Sequence, residues 1–254
     1  MTNLFDKAAR PKLDRLNPRE PAPRRRQKAK PSDHWHGTRF IPPSYDGRVA
    51  VCFATGPSLT QEVVEQIRPY HEAGKVVACG LNDSYRIVDY LDELYACDLA
   101  WWRHHISTPY LAENRTVLDF PARLWGNQSA RSVLNKHPHV NIVQGYSKPG
   151  FSRYRECIHW GANSGFQLLN LVYHMRVARM ILVGYNMGVP KGQDHHFFGK
   201  HAKGMSQAGN YNGFVRQFRK IGEPARSMIV NCTPDSALDC FRKADLGEEL
   251  EAIP

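Results

Sequence analysis

The sequence predicts an α/β fold with a doubly wound, mostly parallel sheet and helices on both faces. Short apolar segments alternate with segments of helical composition along most of the chain. Residues 49–54 form an apolar run without polar alternation, which is typical of a parallel strand covered on both faces. With 254 residues, the chain is long enough for one sizeable core.

The first strand, residues 49–54, breaks into Thr-Gly-Pro-Ser and is predicted to continue as a helix. Gly56 is expected to allow a tight turn, and Pro57 suits the first turn of a helix, where its missing N–H is not needed. Ser58 can cap the first amides of that helix. Because such amides and the helix dipole attract anions, we predict an anion site at this turn.

The later segments continue the alternation. A second strand at residues 75–79 is followed by Asn82, which is predicted to cap a helix running through residue 91. A third strand at residues 93–97 delivers Asp98 at its end. The remaining predicted elements are weak strands at 116–120 and 140–143, a buried helix at 163–176, a strand at 179–183, a helix at 214–221, a strand at 227–230 and a last helix starting within 236–241. Together they predict a Rossmann-like nucleotide-binding domain over residues 48–254.

The N-terminal segment, residues 1–47, differs in composition from the rest. Residues 1–40 hold eleven Lys and Arg against four acids, which is +7 of the net charge of +10. Such a basic, proline-rich stretch buries too little apolar surface to fold alone, so it is predicted to be a disordered arm. It is either a solvated tail or an arm that contacts nucleic acid or an acidic surface.

Several classes of protein are disfavoured by missing signals. No apolar run reaches membrane-spanning length and no signal-type segment opens the chain, which predicts a cytoplasmic protein without a membrane span. The six cysteines contain no C-x-x-C pair, which disfavours a zinc site or a disulfide framework. The G-x-G-x-x-G fingerprint, the Walker lysine motif and the G-x-S-x-G elbow are also absent.

Polar residues follow several predicted strands or open a predicted helix. Ligands bind at the carboxyl ends of the strands in sheets of this class, so these residues are expected to share one edge. Each alone suits a turn or a helix cap, but their joint placement indicates a nucleotide site. The candidates are Thr55, Gly56, Pro57, Ser58, Asn82, Asp98, Asn163, Ser164, Gly165, Tyr185 and Asn186.

A histidine-rich loop follows the strand at 179–183. Asp194, His195 and His196 lie within it, followed by Lys200. The spacing matches no helical metal-ligand motif, which leaves a general acid or base or a set of exposed loop histidines. Asp194 is expected to orient an imidazole.

A cluster of aromatic and basic residues follows the third strand. Trp101 and Trp102 suit either core packing or the walls of an acceptor pocket. Arg103, next in the chain, is a candidate partner for a phosphate or a carboxylate.

These motifs resemble those of bacterial lipooligosaccharide sialyltransferases. The resemblance rests on the strand before Gly56-Pro-Ser-Leu59, the strand before Asn82, Asn163-Ser-Gly165 opening a helix, and Ile181-Leu-Val-Gly-Tyr-Asn186. It covers roughly residues 48 to 242. The chain is also similar to phage-encoded proteins of that superfamily and to the 6-hydroxymethylpterin pyrophosphokinase-like family.

The resemblance implies a metal-independent glycosyltransferase that requires no cofactor and uses a nucleotide-sugar, of the CMP-linked class, as its co-substrate. It implies that Gly56, Ser58 and Asn82 bind the donor, that Ser164 and Gly165 contact its nucleotide, and that His195 or His196 is the base. Arg103 or Lys200 would then stabilise the departing phosphate. The chain departs from that family where Tyr185-Asn186 replaces the usual acidic residue. The acceptor is a glycan, a protein or modified DNA.

Two alternatives remain open. One is a magnesium-dependent pyrophosphokinase acting on a small heterocycle, with Asp98 holding the metal. The other is a non-catalytic phage or nucleic-acid-associated protein that binds through the basic arm.

Overall fold

The computed structural model describes residues 41–107, 122–137, 140–188, 194–199 and 210–254. Three predictions fall on other parts of the chain and lie outside the described residues. They concern most of the basic arm (residues 1–40), the weak strand at 116–120 and the role of Lys200.

The central element is a sheet of nine strands in the order β6-β5-β4-β3-β2-β1-β7-β8-β9. Every pairing in it is parallel, which confirms the predicted fold class. The strands are β1 (Val49–Phe53), β2 (Val76–Leu81), β3 (Glu93–Ala96), β4 (Arg123–Asn127), β5 (Val140–Tyr146), β6 (Cys157–His159), β7 (Arg179–Val183), β8 (Ile229–Asn231) and β9 (Arg242–Lys243).

Helices cover both faces of the sheet. In β1, Ala50 and Cys52 belong to one buried cluster while Val51 and Phe53 belong to another, because alternate side chains of a strand point to opposite faces. The helices are α1 (Gln61–Glu72), α2 (Leu99–Ser107), α3 (Arg131–Leu134), α4 (Ser164–His174), α5 (Tyr211–Phe218) and α6 (Leu246–Glu251). The first cluster takes its α-helical residues from α4 and α5, and the second from α1, α2, α3 and α6.

The strand order reverses between β1 and β7. From β1 the sheet grows through β2 to β6 on one side, and from β7 it grows through β8 and β9 on the other. The connections on the two sides of this point diverge, which opens a crevice at the carboxyl ends of β1 and β7. Sheets of this class bind ligands there, so a site is expected at this edge.

Two of the predicted helices are wrong. In place of a helix from Asn82 to residue 91 there is a short 3-10 helix, Asn82–Arg86, because the chain must turn back at once to enter β3. The last helix does not start within 236–241 but at Leu246, where Asp245 supplies the N-cap. The Ser236 hydroxyl accepts a hydrogen bond from the Leu238 amide, and this contact stabilises a turn instead.

The helix after β1 also begins later than predicted. Its first residue is Gln61, and the Thr60 hydroxyl accepts a hydrogen bond from the Val63 amide as the N-cap. Pro57 and Ser58 therefore precede the helix and do not form its first turn. The structure also contains β4, β6 and α2, which the sequence patterns left unassigned.

Residues 41–47, predicted as part of the arm, contact the domain. Ile41 is fully buried, and its carbonyl oxygen accepts a hydrogen bond from the Arg155 Nε atom at 2.9 Å. The Tyr45 hydroxyl donates to the Glu93 carboxylate at 2.6 Å.

A buried histidine makes stability depend on pH. His174 of α4 is 3 % exposed, and its Nε2 atom lies 3.1 Å from the Cys157 carbonyl oxygen. Burial lowers the pKa of His174 to about 4 from an ordinary value near 6.5. Between about pH 6.5 and pH 4, the imidazole of His174 therefore binds a proton in the unfolded chain but not in the folded chain. We expect this residue to remove about 2 kcal/mol of stability between pH 7 and pH 5.

Chemical denaturation at the two pH values measures this loss. His174→Gln should show a smaller difference between them than the wild type. Equal pH dependence in wild type and His174→Gln would contradict the assignment.

Candidate functional site

A cavity of about 680 Å³ lies at the carboxyl ends of the central strands. The residues that follow β1, β2, β3, β4, β6 and β7 all contribute to its wall, and the loop at 194–199 and the start of α5 close another side. Ten of the predicted site residues line it: Thr55, Gly56, Asn82, Asp98, Asn163, Ser164, Gly165, Asn186, His195 and His196.

The loops after β1 and β7 are hydrogen-bonded to each other. The Gly56 amide donates to the Gly184 carbonyl oxygen at 2.9 Å. The Ser58 amide and hydroxyl both donate to the Asn186 Oδ1 atom, at 3.2 and 2.7 Å. The Ser58 amide and hydroxyl are thus engaged within the protein, and Ser58 and Pro57 do not line the cavity. These bonds fix one wall of the site.

Gly56 is required here by close packing. A Cβ atom at this position would lie 2.3 Å from the Asn186 Oδ1 atom and 2.4 Å from the Gly184 carbonyl oxygen. The φ angle of Gly56 is not positive, so the predicted tight turn does not require glycine at this position. Glycine is required because a Cβ atom has no room. Any larger side chain would push the β1 and β7 loops apart.

The N-terminus of α4 faces the cavity. Asn163 caps the helix by accepting a hydrogen bond from the Phe166 amide at 3.1 Å. Ser164 and Gly165 form the first turn, where amides have no partner within the helix and the helix dipole is positive. The first turn of α4 thus lies at the cavity, whereas the helix after β1 begins only at Gln61 and is not part of the described lining.

Tyr185 lies beneath this helix start and does not line the cavity. It is fully buried, and its hydroxyl donates to the Gly165 carbonyl oxygen at 3.4 Å. Burial raises the pKa of Tyr185 well above its ordinary value, so the hydroxyl stays protonated. Its contact supports the first turn of α4, and the predicted direct contact with an acceptor or phosphate is not open to it.

Asn82 carries two unfavourable features at once. Its backbone has a φ of 46°, in the left-handed region that L-residues other than Asn and Asp rarely adopt. Its Oδ1 atom is buried and has no hydrogen-bond partner among the described residues. A buried acceptor without a donor costs free energy, and such costs concentrate at ligand sites. A ligand N–H or O–H group in the cavity would satisfy this oxygen.

Further polar residues were missed by the sequence analysis. Asn127 is the last residue of β4 and Ser129 follows it, and the sequence predicted neither this strand nor the polar residues at its end. Gln167 lies on α4 one turn past its start, and its Oε1 atom accepts a hydrogen bond from the Tyr95 hydroxyl. Trp160 follows β6 and is 37 % exposed at the cavity wall. The Trp-Gly-Asn127 ending was the available signal for β4.

Each of the two cavity histidines is paired with a hydroxyl group. His196 Nδ1 lies 3.0 Å from the Thr55 hydroxyl, and His195 Nδ1 lies 2.8 Å from the Tyr211 hydroxyl. Burial raises the pKa of Tyr211, which keeps that hydroxyl protonated. Where the hydroxyl accepts from the Nδ1–H group, the Nε2 atom carries the lone pair and can take a proton.

The histidine loop is anchored on the β1 end. The Phe197 amide donates to the Thr55 carbonyl oxygen at 3.1 Å. The Phe198 ring stacks on His196 with ring centroids 5.0 Å apart, and the Arg86 guanidinium lies 5.1 Å from the Phe198 ring centroid. Asp194 is exposed and makes no hydrogen bond to either imidazole within the described part of the loop. Hydroxyl groups thus take the orienting position predicted for Asp194.

The residues after β3 divide between the cavity and the core. Asp98 lines the cavity. Trp101 and Trp102 are 3 % and 1 % exposed and donate to Asp83 and to the Ala96 carbonyl oxygen, so they are core residues and not pocket walls. Arg103 is exposed on α2 and does not reach the cavity.

The described cavity wall carries many side chains that can form hydrogen bonds but almost no charge. Asp98 is its one carboxylate, and no Lys or Arg belongs to the described lining. Hydrogen bonds to neutral groups, with an anion at the start of α4, therefore suit this wall best.

Comparison of the chain with protein-family models and with curated protein sequences gives no match. In the residues that the structure describes, no helix combines the length and the apolar character needed to cross a membrane.

Proposed function

We propose that the chain binds a nucleotide-sugar in the 680 Å³ cavity and transfers the sugar to a hydroxyl group of an acceptor. The observation that carries this proposal is the meeting of three features at one sheet edge. The start of α4 suits a phosphate, amide side chains suit a base and a sugar, and two hydroxyl-paired histidines suit a proton transfer.

The donor's phosphate would lie at the Ser164 and Gly165 amides. Because no Lys or Arg belongs to the described lining, these amides and the helix dipole are the available positive groups. Asn82, Asn127 and Gln167 would supply hydrogen bonds to the base and the sugars. The Trp160 ring offers an apolar face to a planar or pyranose ring.

A histidine would take the proton of the acceptor hydroxyl. The new bond joins that oxygen to the sugar's anomeric carbon, while the bond from this carbon to the phosphate oxygen breaks. The phosphate leaves with the bonding electron pair, and the start of α4 stabilises its charge. We assign the proton transfer to His196, held by Thr55, with His195 as the other candidate. A glycan, a protein or modified DNA would serve as the acceptor.

A thermal-shift panel tests the binding step. We expect the midpoint of unfolding to rise with one class among CMP, UDP, GDP, ATP and their sugars. A ligand at about 100 times its Kd stabilises the folded state by about 2.7 kcal/mol. Asn82→Gly is expected to lose most of the shift, because glycine accepts the φ of 46° and only the side-chain groups are removed.

The exposed change Asn212→Gly serves as the matched control and should keep the full shift. If no nucleotide raises the midpoint of wild-type unfolding, the proposed function is wrong.

A second candidate follows from Asp98, whose carboxylate lines the cavity. It could hold magnesium for pyrophosphoryl transfer from ATP to a small heterocycle. The panel separates the two proposals when it is repeated with magnesium. A shift with ATP that requires magnesium and is lost in Asp98→Asn favours the kinase, whereas a metal-independent shift with a nucleotide-sugar favours the transferase.

A further inference from the structure

Three large aromatic residues are exposed within one short segment. Tyr146 is 50 % exposed, Tyr154 72 % and Trp160 37 %, and no other large hydrophobic residue is exposed in the described ranges. One exposed aromatic ring is ordinary in a folded protein, but a set confined to residues 146–160 is not. The segment runs from the end of β5 through the edge strand β6.

The backbone beneath these rings is held in place. The Asn170 Oδ1 atom of α4 accepts hydrogen bonds from the Ser152 amide at 2.9 Å and from the His159 amide at 2.8 Å. The Ser152 hydroxyl accepts from the Tyr154 amide at 3.1 Å, and the Trp160 amide donates to the Tyr146 carbonyl oxygen at 3.0 Å. The rings therefore project from a fixed loop, and a ligand would meet a surface that is already formed.

The two tyrosines share a groove with basic residues. A second cavity of about 330 Å³ is lined by Tyr146, Lys148, Arg153 and Tyr154, with Phe151 and His159 among the other residues. No carboxylate belongs to its described lining. Glu156, the acid of the same loop, is half-buried and stays outside this lining. Residues Tyr146, Lys148, Arg153 and Tyr154 are named here the aromatic-basic surface.

We propose that the aromatic-basic surface binds single-stranded nucleic acid. Unpaired bases stack on exposed aromatic rings, while the phosphates between them are attracted to Lys and Arg. A duplex hides the faces of its bases, and a neutral glycan would leave the two cations without a partner. Residues 41–254 carry +3 of the net charge of +10, so the part of the chain that holds this surface is itself weakly basic. Binding here requires no transfer reaction, so it stands or falls independently of the nucleotide-sugar site.

The surface leads toward the large cavity. Trp160 lines that cavity, and its backbone is hydrogen-bonded to Tyr146 of the aromatic-basic surface. A single strand of nucleic acid bound to Tyr146 would thus lie close to Trp160 at the wall of that cavity. This continuity follows from β5 and β6 being neighbours at the edge of the sheet.

Fluorescence anisotropy with a labelled oligothymidylate and the full chain tests the proposal. The double change Tyr146→Ala with Tyr154→Ala is expected to weaken binding about tenfold or more, because two stacking contacts are lost. Tyr146→Phe with Tyr154→Phe keeps both rings and should bind nearly as the wild type does. Both double variants should unfold at the wild-type midpoint, since the rings are exposed.

Salt dependence tests the cations separately. Lys148→Ala with Arg153→Ala is expected to reduce the slope of log K against log salt by about 1.4 for a single strand. Lys75→Ala with Arg176→Ala removes the same charge near the amino ends of β2 and β7 and should leave the slope closer to that of the wild type.

Other outcomes overturn the proposal. Unchanged affinity after loss of both rings removes this surface as the binding site, even if the chain still binds nucleic acid through its basic arm. Equal ring dependence for a duplex contradicts base stacking. Tighter and ring-dependent binding of a sulfated glycan would identify an anionic glycan as the occupant.

Discussion

Replacing Arg123 by methionine is expected to lower the free energy of unfolding by about 3 kcal/mol. Arg123 donates from Nε to the Glu93 carboxylate at 2.8 Å. Glu93 is fully buried at the start of β3 and also accepts from the Tyr45 hydroxyl at 2.6 Å and from the Trp125 indole at 2.5 Å. Without Arg123, a buried carboxylate loses its counter-charge in the middle of the sheet.

The pH dependence of this loss follows from the pKa of Glu93. Burial raises that pKa above its ordinary value, and the Arg123 charge opposes the rise. In Arg123→Met the pKa should rise further, so the folded state takes up a proton that the unfolded chain does not hold. A carboxyl group whose pKa is higher in the folded chain than in the unfolded chain stabilises the fold at low pH, and this contribution is lost as the pH increases. The defect of the variant should therefore shrink between pH 8 and pH 5.

Chemical denaturation with a matched control measures this effect. Arg68→Met removes an arginine that pairs with exposed Glu65 and Asp89, and should cost less than about 1 kcal/mol. Adding Glu93→Gln to Arg123→Met should recover part of the loss, because the unpaired charge is gone. If Arg123→Met is no less stable than Arg68→Met, the buried Arg123–Glu93 pair does not contribute the free energy of unfolding that is assigned to it.

The second large effect concerns turnover. His196→Ala is expected to reduce the proposed transfer by about 10²- to 10⁴-fold while leaving the nucleotide-induced thermal shift in place. The reason is that His196 would take the proton of the acceptor and not hold the donor. Thr55→Val should produce a smaller loss, because the hydroxyl 3.0 Å from His196 Nδ1 orients the ring, and Thr55→Ser should restore most of the rate.

Controls for this prediction come from other histidines. His104→Ala, on the exposed side of α2, should leave turnover unchanged. A large loss in His195→Ala with normal turnover in His196→Ala would move the base to His195 and its partner Tyr211. Normal turnover in both variants would show that neither histidine is the base.

The sequence predicted secondary structure best where a whole segment is buried. The strand predicted at 179–183 has the bounds of β7. A strand that is covered on both faces of a parallel sheet is a nearly continuous apolar run, and such a run is visible in the sequence. Asn163 was predicted at the start of a buried helix, and it caps α4. β4 was missed because Arg123-Leu-Trp-Gly-Asn127 mixes charge, glycine and amide, and the polar ends have partners elsewhere in the fold. Because the end of β4 was not predicted, Asn127 and Ser129 were not among the candidate site residues.

The sequence by itself determined the parallel α/β class and the strand ends at which the large cavity lies, because burial patterns and strand ends are encoded locally. Only the tertiary structure decided which of the predicted residues line that cavity and which are bonded to one another. Ser58 meets Asn186 across 128 residues, and Thr55 meets His196 across 141. For the same reason α1 begins only at Gln61 and is not part of the described cavity lining, whereas the first turn of α4 lines the cavity. The Thr-Gly-Pro-Ser turn contacts the β7 loop, and such long-range packing is fixed only when the chain folds.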